Sequence, residues 1–177
     1  MGGMRMASLI SNSPEAAPEG RQLIDTWADG HSAWLDLLAV TQQGLWLMDH
    51  DLSGWHRDTG DAPDRLLACL RRLHPGQVRC LIRDSAAVLQ RMPRTRQVLI
   101  DFGHVVSVRI AAPHHEDALD QSVVIVDRRH TLVRPRYDIP RAWLRREDPA
   151  DAARLLPQLE TIWSAAADAN MGAPLGL

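Results

Sequence analysis

The sequence predicts an α/β domain: a mainly parallel or mixed sheet flanked by helices on both faces, in the order α-β-α-β-α-β-β-β-α. Three observations predict it. Short apolar runs of strand length alternate with stretches of helical period, the pattern of a helix-covered sheet. The run Ser122–Val126 is continuous and largely β-branched, as in strands covered on both faces. A tight turn at Arg128-Arg129 then leads into a second apolar run, which predicts a β-hairpin near the end of the chain.

The elements follow in order. His31–Gln43 carries Trp34, Leu35, Leu37 and Leu38 at helical spacing, with Gly44 placed to end the helix. Leu45–Met48 is a short apolar strand that runs into Asp49-His50-Asp51, and Ser53–Gly60 is a polar loop. Asp61 caps a helix with Pro63 in its first turn and Leu66, Leu67, Leu70 and Leu73 on one face. Val78, Cys80 and Ile82 alternate with arginines as a strand, and Ser85–Met92 reads as a helix up to Pro93. Val98, Leu99 and Phe102 mark a further helical turn, Val105–Ile110 a strand, and a polar loop follows. The hairpin comprises Ser122–Val126 and Thr131–Arg136. Asp148 caps the final helix, with Pro149 at its first position. Leu155, Leu156, Leu159, Ile162, Trp163 and Ala166 line one side, and Pro157 predicts a kink or a split into two short helices. Residues 21–168 form the single domain, between a disordered tail over 1–20 and a flexible one over 169–177.

Twenty basic residues face 22 acidic ones, so a globally basic nucleic-acid binder is disfavoured. The chain contains no lysine, which removes Schiff-base and phosphate-holding lysines from consideration. Cys69 and Cys80 sit inside apolar patterns, as small buried hydrophobes in a reducing compartment. No run reaches the ~18 apolar residues of a membrane helix, and no signal peptide is visible, so a cytoplasmic protein is expected.

Several residue groups could carry chemistry. Leu45–Asp51 resembles the first motif of haloacid-dehalogenase-like phosphatases, with Asp49 and Asp51 in the Asp-x-Asp positions. The lysine and the later acidic pair of that chemistry are missing. His114-His115-Glu116-Asp117 could meet a metal, although adjacent side chains seldom converge on one ion and a solvated loop fits better. The segment from Arg128 to Arg146 holds Arg128, Arg129, Arg134, Arg136, Arg141, Arg145 and Arg146, forks suited to an anion or to pairing with aspartates. Asp127, His130, Arg134 and Arg141 gather near one hairpin as the leading ligand-site set, with Asp49, Asp51 and Arg136 as secondary members. The same residues could equally pair among themselves as structure. No P-loop, Cys-x-x-Cys, His-Glu-x-x-His or Gly-x-Ser-x-Gly motif occurs.

From Asp29 to Ala166 the chain resembles one half-domain of the phospholipase D-like superfamily, in element order and in the strand DQSVVIVD. The superfamily signature His-x-Lys-x-x-x-x-Asp falls here on Asp120, Ser122 and Asp127, so only the aspartate is kept. The resemblance implies loss of the nucleophilic histidine and the phosphate-holding lysine, and so of phosphodiester chemistry. A closer likeness is to a group of uncharacterised proteobacterial proteins with a degenerate half-domain. It rests on Asp49, Asp51 and Leu52; on Asp127, His130 and Arg134; on Asp138, Pro140, Arg141 and Ala142; and on Asp148, Pro149 and Trp163.

The function expected from all this is a non-catalytic binding or regulatory module for an anionic ligand or a protein partner, without cofactor or metal. One alternative is a phosphate-ester hydrolase using Asp49/Asp51 or His130. Another is a nucleic-acid accessory protein using the arginine-rich hairpin. Enzymes of the superfamily join two half-domains, so the resemblance implies a homodimer. Six tryptophans, with Trp55 and Trp143 in polar contexts, suit a covered surface.

Overall fold

The computed structural model describes residues 20–172. Eight strands, β1 (Arg21–Ile24), β2 (Leu45–Asp49), β3 (Val78–Ile82), β4 (Val106–Ile110), β5 (Ser122–Val126), β6 (His130–Arg134), β7 (Ala142–Arg145) and β8 (Ala167–Asp168), form one sheet. Its order is β1-β7-β6-β5-β2-β3-β4-β8. The sheet is mixed. β2, β3 and β4 run parallel, whereas the β5-β6-β7-β1 half and the short β8 pair antiparallel. Helices α1 (Trp27–Val40), α2 (Ala62–Leu70), α3 (Ala86–Arg91) and α4 (Pro93–Asp101) precede β5, and α5 (Pro149–Ala165) follows β7.

Alternation along the strands divides the core in two. Leu45, Leu47, Val124, Val126 and Leu132 face α1, α2 and α4 with Trp34, Leu37, Leu38, Leu66 and Leu70. Met48, Leu81, Val123 and Ile125 face α5 through Leu155, Leu156, Leu159 and Ile162. Ser122–Val126 is buried throughout, as its unbroken apolar run requires.

Several details differ from the sequence reading. The first helix starts at Trp27, because the Thr26 hydroxyl accepts from Asp29 N–H at 3.0 Å and caps it there. It ends at Thr41 rather than Gly44, where Thr41 N–H and hydroxyl both donate to the Leu37 carbonyl. α5 is one helix through Pro157. Ala153, whose carbonyl loses its donor, lies with Pro157 on the exposed face, and the apolar stripe holds the turns on either side. The loop before β5 is a 3₁₀ helix, Pro113–Asp120. Strands β1, β7 and β8 have four, four and two residues, too short for a period-2 pattern to stand out. The expected tail over 1–20 lies almost wholly outside the described residues. Of the expected tail over 169–177, residues 169–172 are held: Ala169 N–H bonds Val108, Met171 is buried, and Arg96 donates to the Met171 carbonyl. Trp55 is buried rather than surface-exposed. No helix among the described residues is long and apolar enough to cross a membrane.

A buried polar chain ties α1 to α4. Trp34 Nε1–H donates to His56 Nδ1 at 3.1 Å, His56 Nε2 meets Thr95 Oγ1 at 3.0 Å, and the Thr95 hydroxyl donates to Asp58 at 2.6 Å. These partners place the His56 proton on Nε2. Burial, reinforced by His31, lowers the His56 pKa to about 4, so the ring is neutral at pH 7.

Candidate functional site

Three polar residues line up across neighbouring strands on the face toward α1. Asp49 ends β2, Ser122 opens β5, and Arg134 lies opposite Ser122 on β6. Asp49, Ser122 and Arg134 are 1%, 0% and 0% exposed. The Ser122 hydroxyl donates to Asp49 Oδ1. Burial raises the Asp49 pKa, and the Ser122 hydrogen bond opposes that shift.

Arg134 is packed from every side. Its guanidinium lies 3.7 Å from the Trp55 ring centroid and 4.5 Å from that of Trp27, and Nη1 donates to the Gly54 carbonyl at 3.0 Å. A Cβ at Gly54 would lie 2.5 Å from Nη1, and one at Gly30 would lie 3.1 Å from Nη2, so both glycines make room for this side chain. Burial lowers its pKa to about 10, against the pull of Asp49, and leaves it protonated at neutral pH. Asp49 Oδ2 and Arg134 Nε and Nη2 have no hydrogen-bond partner among the described residues. The row is a closed polar plug.

The four leading sequence candidates do not converge. His130 and Arg134 share a face of β6 but sit at its two ends, about 13 Å apart at strand rise. Asp127 lies at the far end from Arg134, where its carboxylate accepts the backbone N–H groups of Gln42, Gln43 and Gly44 at 2.7–3.2 Å. That closes the α1–β2 connection against the hairpin turn, in which Asp127 and Arg128 both have positive φ. His130 Nδ1 accepts from Glu147 N–H, and its Nε2 faces the Glu147 carboxylate at 3.4 Å. Arg141 pairs with Asp25 at 3.1 Å. Satisfied backbone and acid partners separate these groups, although they are close in sequence.

The secondary candidates are also engaged. Asp51 accepts from Ser53 and faces Arg91 at 3.7 Å, and exposed Arg136 binds Asp138 at 2.6 Å. Asp120 lies near Arg83, and its carbonyl accepts from Tyr137 N–H at 2.6 Å. His114 and His115 pack on each other, and no three His, Cys, Asp or Glu among the described residues gather as metal ligands. The sequence reading missed that Gly30, Gly54, Trp27 and Trp55 enclose Arg134. It also missed a second arginine cluster, Arg21, Arg145 and Arg154, joined by the β1–β7 pairing. Neither shows as a motif, because the members are distant in the chain.

This sheet order and the two helical layers define a phospholipase D-like fold. Nuc from Salmonella typhimurium, a phospholipase D family member, aligns at TM-score 0.64 with 13% identity, covering 85% of this chain and 99% of that one. NucT from Helicobacter pylori aligns at 0.57 with 9% identity, over 84% and 98%. TrmBL2, an archaeal chromatin protein with a novel mode of DNA binding, aligns at 0.61 with 13% identity; 88% of this chain matches about half, 56%, of it. No curated protein matches the sequence. The chain belongs to the family described as Domain of unknown function (DUF7931), whose family model matches residues 27–171.

Proposed function

We propose that this protein is a non-catalytic phospholipase D-like module that binds an anionic ligand. The observation that carries the reading is the plug. Ser122 stands where the superfamily resemblance places the phosphate-holding lysine. It is fully buried, its hydroxyl is committed to Asp49, and Arg134 lies opposite it. Asp120 stands at the matching histidine position. A carboxylate there repels a phosphate oxyanion and is a far weaker base than imidazole. Burial of Asp49 likewise speaks against the Asp-x-Asp phosphatase alternative, which needs an accessible ionised nucleophile. The test is turnover of a generic phosphodiester and of single-stranded DNA by the purified protein. None is expected. Turnover that follows the protein through two unrelated columns and drops in the Asp51→Asn or the His130→Gln variant overturns the reading.

Pairing with a second copy belongs to the same proposal. Trp27, Tyr137 and Ile139 are 38%, 36% and 37% exposed around the end of the sheet where Arg134 lies. Two such patches meeting across a twofold axis would cover each other. Light scattering at micromolar concentration is expected to give twice the 19.8 kDa chain mass. A single-chain mass at every dilution overturns it.

A further inference from the structure

On the α5 face, β1, β7 and β6 place Arg21, Arg145 and Thr131 in one register row: Arg21 opposite Arg145, and Arg145 opposite Thr131. Like charges directly opposite on neighbouring strands destabilise a sheet unless a counter-charge sits over them. α5 supplies a partial one. Buried Asp151 accepts from Thr131 at 2.6 Å, takes the Arg154 fork at 2.7 and 3.2 Å, and faces Arg145 Nε at 3.8 Å. Arg145 also reaches Asp148 at 3.1 Å.

Arg21 is left over. No carboxylate lies within ion-pair distance of it among the described residues; its guanidinium carbon lies over Trp143, 3.4 Å from the ring centroid. Its buried Nε has no hydrogen-bond partner there. Burial and the neighbouring Arg145 both lower its pKa. The Trp143 ring holds the guanidinium in place, and its N–H edge has no partner among the described residues. Arg21, Arg145, Arg154, Trp143, Val133 and Pro135 line an open cleft of about 240 Å³, with Thr131 and Asp151, bonded to each other, in its wall. Among the described residues three guanidinium groups face two carboxylates, Asp148 and Asp151, which leaves one positive charge.

We propose that this cleft is the ligand site: it takes the singly charged oxyanion of a small organic molecule on Arg21 and Arg145, with the organic part against Val133 and Pro135. A monoanion matches the residual charge, and the volume exceeds what a bare ion needs. The inference rests on reading the protein as an anion-binding module and gives that module its address. Tetrahedral and planar oxyanions share this chemistry, so the two probes are methyl sulfate and acetate.

The experiment is NMR titration of the ¹⁵N-labelled full chain at constant ionic strength, following the tryptophan indole signals, with Trp143 assigned through Trp143→Phe. The Trp143 indole is expected to shift and saturate with one or both probes. Arg21→Gln, on a half-exposed edge position, is expected to weaken binding about tenfold by removing one charge-assisted fork. Arg65→Gln, at an exposed pair with Asp61 on α2, leaves binding unchanged. A response only at other tryptophans, or one that Arg21→Gln and Arg154→Gln leave intact, overturns the cleft while the anion-binding reading stands. No saturable response to either probe overturns both, whereas phosphodiester turnover bears on the non-catalytic reading alone.

Discussion

Arg134→Ala is expected to cost about 3–5 kcal/mol of stability in urea denaturation, the range for stripping one member from a buried charged cluster and leaving a hole. The losses are specific. The hydrogen bond to the Gly54 carbonyl disappears, and two indoles lose the cation between them. Space cleared by Gly30 and Gly54 becomes a cavity, and Asp49 loses its nearby positive charge. Arg134→Met, which keeps most of the volume, should recover part of the loss. A change below ~1 kcal/mol in the alanine variant would show that the guanidinium is not holding this end of the sheet.

Acid destabilisation through His56 is expected to be the second large effect. The unfolded imidazole titrates near 6.5 and the folded one at about 4. Between those values the unfolded chain binds more protons, so stability falls as pH falls through this window and is complete only above it. The gap corresponds to about 3 kcal/mol at a residue that is 2% exposed. Urea midpoints from pH 7.5 to pH 4 measure it. His56→Gln should lower stability at pH 7.5, through the bonds lost by Trp34 and Thr95, and should flatten this part of the pH profile. A variant profile as steep as that of the parent would assign the acid sensitivity elsewhere.

The layers were legible in the sequence because long-range burial leaves a local trace. Ser122–Val126 advertised a strand covered on both faces, and Asp148-Pro149 marked the start of α5. The edge strands left none. β1 pairs only with β7, more than a hundred positions away, its four residues show no period of their own, and β8 has two residues. The site was legible in composition but not in assembly. The arginine-rich hairpin pointed to charge, yet His130 and Arg134 diverge along β6 and Arg141 folds back on Asp25. Arg134 read as a fork for an anion or an aspartate, because burying an arginine depends on features remote in sequence: two glycines and two tryptophans from α1 and the loop after β2. Asp127 was noticed as a remnant of a catalytic signature, and it serves as an acceptor for three successive backbone amides.

The pairing of Arg21 with Arg145 spans 145 − 21 = 124 positions. During synthesis β1 leaves the ribosome among the first described segments, with both edges unpaired. Its partner strand follows only after roughly 6–25 seconds at ordinary elongation rates. Until then α1 and the parallel strands can fold, but the outermost edge of the sheet cannot close. The three-arginine cleft, which draws Arg21 from β1 and Arg154 from α5, is therefore among the last features of the described fold to form. Any ligand held there meets only a chain already synthesised through α5.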